Sequence, residues 1–230
     1  MSTQLEAKIF LNNQRGCTKQ IGHTSYHTFN CGAYFSPYRE PIGALQLINE
    51  DTLSAKHSID MLVDSNTDVI LIPFVGGLEF KTKTYNGLVS LGELQCLSLL
   101  KNSEYTILNP YPNDTISFLQ IWLRNSSISF SEKNATTHID FNLRNQLRTI
   151  FSLEPNFGCI GIFDGRAETI YDLKNANHGV FVFILAGAFE VNNRLLHAFD
   201  GLWLKNIIEV EFEALSDNAV IIILEIEDEL

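Results

Sequence analysis

Apolar positions in this chain fall in short runs with a period of two, and few segments sustain a helical period. Leu78-Glu-Phe-Lys-Thr-Lys83 alternates apolar and charged side chains, as a half-exposed strand does, and Ile207–Glu213 alternates in the same way. Ala44–Asn49, Ile116–Leu123, Gly179–Leu185 and Asn218–Ile226 are denser runs that suit buried strands. Asp68–Val75 is another and closes on Gly76-Gly77, a turn signal. Pro73 inside it predicts that the run ends early or lies at an edge, because proline donates no ladder hydrogen bond. Asn86-Gly87 and Asn192-Asn193 read as hairpin turns, and Asp200-Gly201 opens another turn. The polar stretch Arg124–His138 reads as a connection, and Phe141–Phe151 as a short helix or a crossing strand. Regular strand spacing with turn signals predicts an all-β chain of sandwiches or barrels, cupin jelly rolls among them.

Composition narrows the picture. The 230 residues are 45% hydrophobic and 19% charged, which predicts a packed core rather than disorder. The length suits two small barrels in tandem: residues 1–133, a linker at 134–150, and residues 151–230. A formal net charge of −11 repels phosphate backbones, so no direct nucleic-acid contact is expected. No apolar stretch reaches membrane-spanning length, and MSTQLEAKIF lacks the basic start and apolar run of a signal peptide. Cys17, Cys31, Cys96 and Cys159 form no CxxC pair, so reduced thiols, mostly buried, and a cytoplasmic location are the expectation.

Several segments in fixed order resemble the pirin-like bicupin family. His27-Thr-Phe-Asn-Cys-Gly-Ala-Tyr34 is similar to that family's HTF-x-FG-x-Y opening, and Asn49-Glu50-Asp51 to its asparagine-acid-acid segment. Gly92-Glu93-Leu94-Gln95 and Gln120-Ile121-Trp122 match the pieces around its second metal motif. Asp164-Gly165-Arg166 and the hairpin Glu190–Asn193 resemble its C-terminal cupin. The resemblance implies two tandem cupin barrels with one iron-like metal in the N-terminal barrel, held by three histidines and a glutamate. Some members resemble quercetin dioxygenases, and others act as transcription-linked regulators. No metal is implied in the C-terminal barrel, whose role is expected to be structural.

Against that pattern the ligand positions read differently here. Counting without gaps from Asn49 places the family's HPH histidines at Leu62 and Asp64; a one-residue slip gives Val63 and Ser65. Counting from Gln95 places the second motif's histidine at Tyr105 and its glutamate at Ile107. Leucine and isoleucine offer a metal nothing, tyrosine would have to shed a proton with an intrinsic pKa of about 10, and one aspartate cannot hold iron alone. The expectation is therefore a barrel without metal or other cofactor. Asp64 and Tyr105 are expected to face one another, either plugging the barrel or orienting a small apolar or aromatic ligand. His23 and His27 are four apart, half a metal site if helical, but fit a loop or a strand pair near the barrel mouth better. His57 is expected in a surface loop, and Ser103, Glu104 and Asp64 in solvated loops rather than in acid–base catalysis.

The functional expectation is a non-enzymatic binding or regulatory protein. The alternative is a quercetinase-like dioxygenase with non-standard ligands.

Overall fold

A computed structural model describes residues 5–227. Among these residues there are strands, turns and a short 3-10 turn at Asn12–Gln14, but no α-helix. In chain order the strands are β1 (Glu6–Phe10), β2 (Gly16–Gln20), β3 (His23–His27), β4 (Leu45–Leu53), β5 (Ser58–Leu62), β6 (Thr67–Val75) and β7 (Leu78–Thr82). Then come β8 (Asn86–Val89), β9 (Glu93–Leu99), β10 (Glu104–Leu108), β11 (Ile116–Arg124), β12 (Lys133–His138), β13 (Arg148–Leu153) and β14 (Asn156–Phe163). The rest are β15 (Glu168–Asp172), β16 (Gly179–Ala186), β17 (Ala188–Val191), β18 (Arg194–His197), β19 (Gly201–Lys205), β20 (Glu209–Ala214) and β21 (Ala219–Ile226).

The chain divides into two compact units: Gly16–Ile139, and Met1–Arg15 with Asp140–Leu230. In the unit Gly16–Ile139, a seven-stranded sheet runs β12-β9-β6-β11-β4-β3-β2 and a four-stranded sheet runs β5-β10-β7-β8. Leu53, Val69, Leu71, Leu97 and Phe118 of the larger sheet join Phe80, Val89, Tyr105 and Ile107 of the smaller in one core. Burying each such side chain contributes roughly 1.5–3 kcal/mol, which is why the alternating runs settle with their apolar face inward. Strand β7 does so as predicted: Leu78, Phe80 and Thr82 are buried, while Glu79 and Lys81 are exposed. Pro73 departs from the expectation: β6 neither ends at it nor lies at an edge, but runs on to Val75 between β9 and β11. Strand β6 pairs with β9 only as far as Leu71, and beside Pro73 its other partner, β11, carries a register shift between Ser117 and Phe118. The missing N–H falls where one side of the strand has no ladder to complete.

The other unit repeats the arrangement with a six-stranded sheet, β1-β19-β16-β21-β14-β13, and a four-stranded sheet, β15-β20-β17-β18. Its core includes Phe163, Phe189 and Phe212, edge to face at 5.2–6.0 Å. The Asn192-Asn193 turn joins β17 to β18 as predicted, with both asparagines at positive φ, 45° and 61°.

Four other expectations need correction. The unit boundaries fall elsewhere, because β1 pairs with β19, from Glu6 opposite Lys205 to Phe10 opposite Gly201. The start of the expected linker, 134–138, belongs to strand β12 on the edge of the seven-stranded sheet, paired to β9. A solvent-facing edge strand needs no apolar stripe, so its sequence looks like a loop. Of the two readings of Phe141–Phe151, the helix fails and a strand is found at residues 148–151, the start of β13. Finally, Asn86 and Gly87 are not a turn but pair with Lys81 and Phe80 in the β7–β8 hairpin. The turn is tied by Thr82, whose Oγ1 accepts the backbone N–H of Thr84 and of Tyr85 at 3.2 and 2.8 Å.

Candidate functional site

The site is built inside the unit Gly16–Ile139. Strand β10 alternates, so Tyr105 (1% exposed) and Ile107 (0%) point inward and Glu104 points out. Strand β5 lies antiparallel to it, with Met61 opposite Tyr105 and Ile59 opposite Ile107. Ile59 and Met61 pack against the core, and Val63 beyond them is fully buried. Leu62 and Asp64 therefore face the wrong way for a barrel site. Leu62 is 55% exposed, opposite Glu104, and the exposed Asp64 carboxylate accepts the Ser65 hydroxyl at 3.1 Å. Of the sequence-predicted positions, Tyr105 and Ile107 come together inside the barrel, and Leu62 and Asp64 do not. The ungapped count ran through the β4–β5 turn, and a slip of one residue moves every side chain of a strand to the other face. The slipped register, which named Val63, has the inward phase.

Asp64 accordingly does not meet Tyr105. The Tyr105 hydroxyl donates to Gln120 Oε1 and accepts the Trp122 indole N–H at 2.8 Å. Gln120 Nε2 donates to Asp51 Oδ2 at 2.9 Å, and the other Asp51 oxygen lies 2.8 Å from His23 Nε2. A chain of polar groups thus crosses from β10 through β11 and β4 to β3. Asp51 and Gln120 within it are 1% and 0% exposed. Burial lifts the Tyr105 phenol well above its ordinary range; the Trp122 hydrogen bond opposes the rise, and negative charge at Asp51 and Cys31 adds to it.

A second set lies on the same strands. His27 Nδ1 is 3.0 Å from Asn49 Oδ1, and His27 Nε2 is 2.8 Å from Thr18 Oγ1. The Asn49 amide donates to Cys31 Sγ, and the Cys31 thiol is pushed up chiefly by burial. Tyr34 stacks on His27 at 6.1 Å and covers Gly16, where a Cβ would lie 2.4 Å from the ring. His23 and His27 are thus on a strand, as expected, and their four-residue spacing puts both on one face of it. Sequence reasoning missed their buried partners. His57 is half-buried and packs on the β2–β3 turn at Gly22, with Nδ1 3.0 Å from the Ala55 carbonyl oxygen. Glu104 is exposed on the outer face of β10, and Ser103 precedes that strand in the turn.

In the other unit, Glu225 (0% exposed) accepts the Tyr171 hydroxyl at 2.7 Å and the backbone N–H groups of Lys174 and Asn175 at 2.9 and 2.8 Å. His178 Nδ1 lies 3.2 Å from the same carboxylate. This buried cluster pins the segment 174–178 to β21.

Two jelly-roll sheets pairs, each around its own core, define a bicupin. Comparisons with known proteins refine the class. Residues 159–226 match the quercetinase C-terminal cupin domain. The protein named "Putative quercetin 2,3-dioxygenase PM1685" from Pasteurella multocida (strain Pm70) is 22% identical over 200 residues, 81% of this chain and 85% of that one. YhhW from Escherichia coli shares the fold at a TM-score of 0.86 and 16% identity, covering 96% of this chain and 97% of its own. A second structure of YhhW, described as a bacterial pirin, is a complex with nickel(II). A quercetin 2,3-dioxygenase from Acinetobacter baumannii matches at a TM-score of 0.74 and 14% identity, over 96% of this chain and 86% of its own. The chain thus shares the fold of bicupins over nearly its whole length and is similar in sequence to the quercetinase C-terminal cupin over residues 159–226.

The metal that the resemblance to pirin-like bicupins implies does not fit the residues present. Ile59 and Ile107 have no lone pairs, Met61 brings a soft thioether, and Tyr105 is a phenol held protonated by burial. Among the described residues no group of three or more His, Cys, Asp or Glu is placed to hold a metal ion. No helix among them is long and apolar enough to cross a membrane.

Proposed function

We propose that this pirin-like bicupin works without a metal in its first cupin and acts by binding rather than by oxygenation. The observation that carries the reading is the inward-facing set on β5 and β10, Ile59, Met61, Tyr105 and Ile107, which offers no imidazole or carboxylate. Dioxygenation of the kind named in its relatives needs a redox metal with an open coordination position, and that chemistry lives in ligands rather than in the fold. A cytoplasmic location and a small-molecule or protein partner, without direct nucleic-acid contact, complete the proposal; the net charge of −11 supports the last point.

The test is turnover. Purified protein is incubated separately with ferrous, nickel, cobalt and copper ions and desalted, and quercetin loss and oxygen uptake are followed. The expected rate equals that of a desalted blank. Turnover proportional to protein concentration would favour the alternative, a quercetinase-like dioxygenase with non-standard ligands.

A further inference from the structure

His178 sits just ahead of β16, is 6% exposed, and borders a groove of about 490 Å³ with Asn175, Asn177, Lys205, Asn206 and Glu227. Its neighbours fix its protonation state. The Asn177 backbone N–H donates to the Asn175 side-chain amide at 3.0 Å, and only the amide oxygen can accept it. The amide nitrogen, a donor only, is therefore the atom 3.0 Å from His178 Nε2. Nε2 must accept, so it carries no proton, and the neutral ring holds its one proton on Nδ1. Nδ1 lies 3.2 Å from Glu225 Oε1 without an aligned hydrogen bond, and that oxygen already takes the Asn175 backbone N–H. The ring thus stands between partners suited to opposite states. The Asn175 amide matches the neutral form, and the buried Glu225 carboxylate favours the charged one. Protonation sets an Nε2 N–H against the Asn175 amide hydrogens. Turning the amide over restores that bond and takes the acceptor from Asn177, which is exposed, so water can serve its N–H instead. The other charged or titratable groups around the ring are Glu227 and Lys205 on the groove, Lys174 over the Phe157 ring at 3.8 Å, and Tyr171 and Cys159 beside Glu225. Of these, the two lysines oppose a charged ring and Glu227 favours it.

We propose that Asn175 and His178 form a pH-operated switch in the wall of this groove, in which protonation of His178 turns the Asn175 amide over and frees the Asn177 N–H. The turn 175–178, closed by the His178 N–H on the Asn175 carbonyl at 3.0 Å, then changes the polar groups it shows to the groove. The switch lies in the unit that holds Asp140–Leu230 and is independent of the metal-free reading of the first cupin.

The experiment uses the full chain, labelled with nitrogen-15 and followed by NMR from about pH 8 to about pH 5, where histidines change charge. At the alkaline end the His178 ring is expected as the Nδ1–H tautomer. As it gains a proton, the Asn177 backbone amide and the Asn175 side-chain amide should shift with the same midpoint. Asn175→Asp keeps the shape but offers an oxygen to each donor, so the charged ring and the Asn177 N–H no longer compete. In that variant the midpoint should rise by about one pH unit or more, and Asn177 should stop following the ring. A proton on Nε2 at the alkaline end, a ring that does not titrate, amide signals that stay fixed while it does, or an unchanged midpoint in Asn175→Asp would each overturn the proposal. Should Asn175→Asp not fold, the wild-type titration decides alone: a shared midpoint supports the switch and separate ones overturn it.

Discussion

Replacing Tyr105 with phenylalanine removes one oxygen from the middle of the barrel. Gln120, fully buried, then has a carbonyl without a donor, because its amide stays tied to Asp51. Leaving a buried acceptor unpaired costs about 1–3 kcal/mol. Trp122 is only partly buried, so water can take over its indole N–H and little is lost there. The expected loss is about 2 kcal/mol, or a fall in Tm of roughly 6 °C at about 3 °C per kcal/mol for a chain of this size. Urea unfolding should show a lower midpoint with an unchanged slope. Gln120→Leu measured alone and together with Tyr105→Phe completes a cycle, in which the two losses should fall well short of adding. A midpoint within about 0.5 kcal/mol of wild type, or full additivity, would refute the coupling.

Other outcomes follow from the same geometry. Leu62→Lys should be neutral within about 0.5 kcal/mol, whereas Met61→Lys one residue earlier should unfold the first unit or nearly so, as urea melts would show; the reverse order would restore the ungapped register. Removing Glu225 with alanine leaves Tyr171 and two backbone N–H groups facing a void and should cost roughly 3 kcal/mol by calorimetry, against a loss of no more than a few tenths if the cluster is dispensable. Tyr105 and Tyr171 both have phenols raised by burial, the second also by Glu225. The native state therefore keeps protons that the unfolded state releases above about pH 10, so stability present below that pH falls as pH rises further. Absorbance at alkaline pH should show two of the seven tyrosines ionising only as the chain unfolds.

The parts of the fold legible in the sequence were those with a buried face. Leu78–Lys83 and the Asn192-Asn193 hairpin sat where their patterns put them, since alternation and positive-φ turn residues are local signals. Strand β12 was not legible, because Lys-Asn-Ala-Thr-Thr-His on a sheet edge buries almost nothing. Strand β1 was missed for the same reason: four of its five residues are exposed. At the site, Tyr105 and Ile107 both point inward because they alternate along β10, although the count that reaches them from Gln95 leaves β9 and crosses the turn at 100–103. Leu62 and Asp64 face outward because the count from Asn49 crosses the β4–β5 turn, and nothing in the sequence fixes the phase after a turn. Gln120, Asp51 and His23 were each visible as residues, but their joining depends on cross-strand neighbours far apart in sequence, and no local pattern reports that.

Elemental analysis bears most directly on the central claim. Wild-type protein is equilibrated with excess nickel(II), desalted and measured for metal and protein. The account predicts nickel well below one ion per chain, because hydrocarbon, thioether and protonated phenol do not replace imidazole and carboxylate. About one nickel retained per chain, and lost in a variant of Tyr105 or Met61, would contradict it.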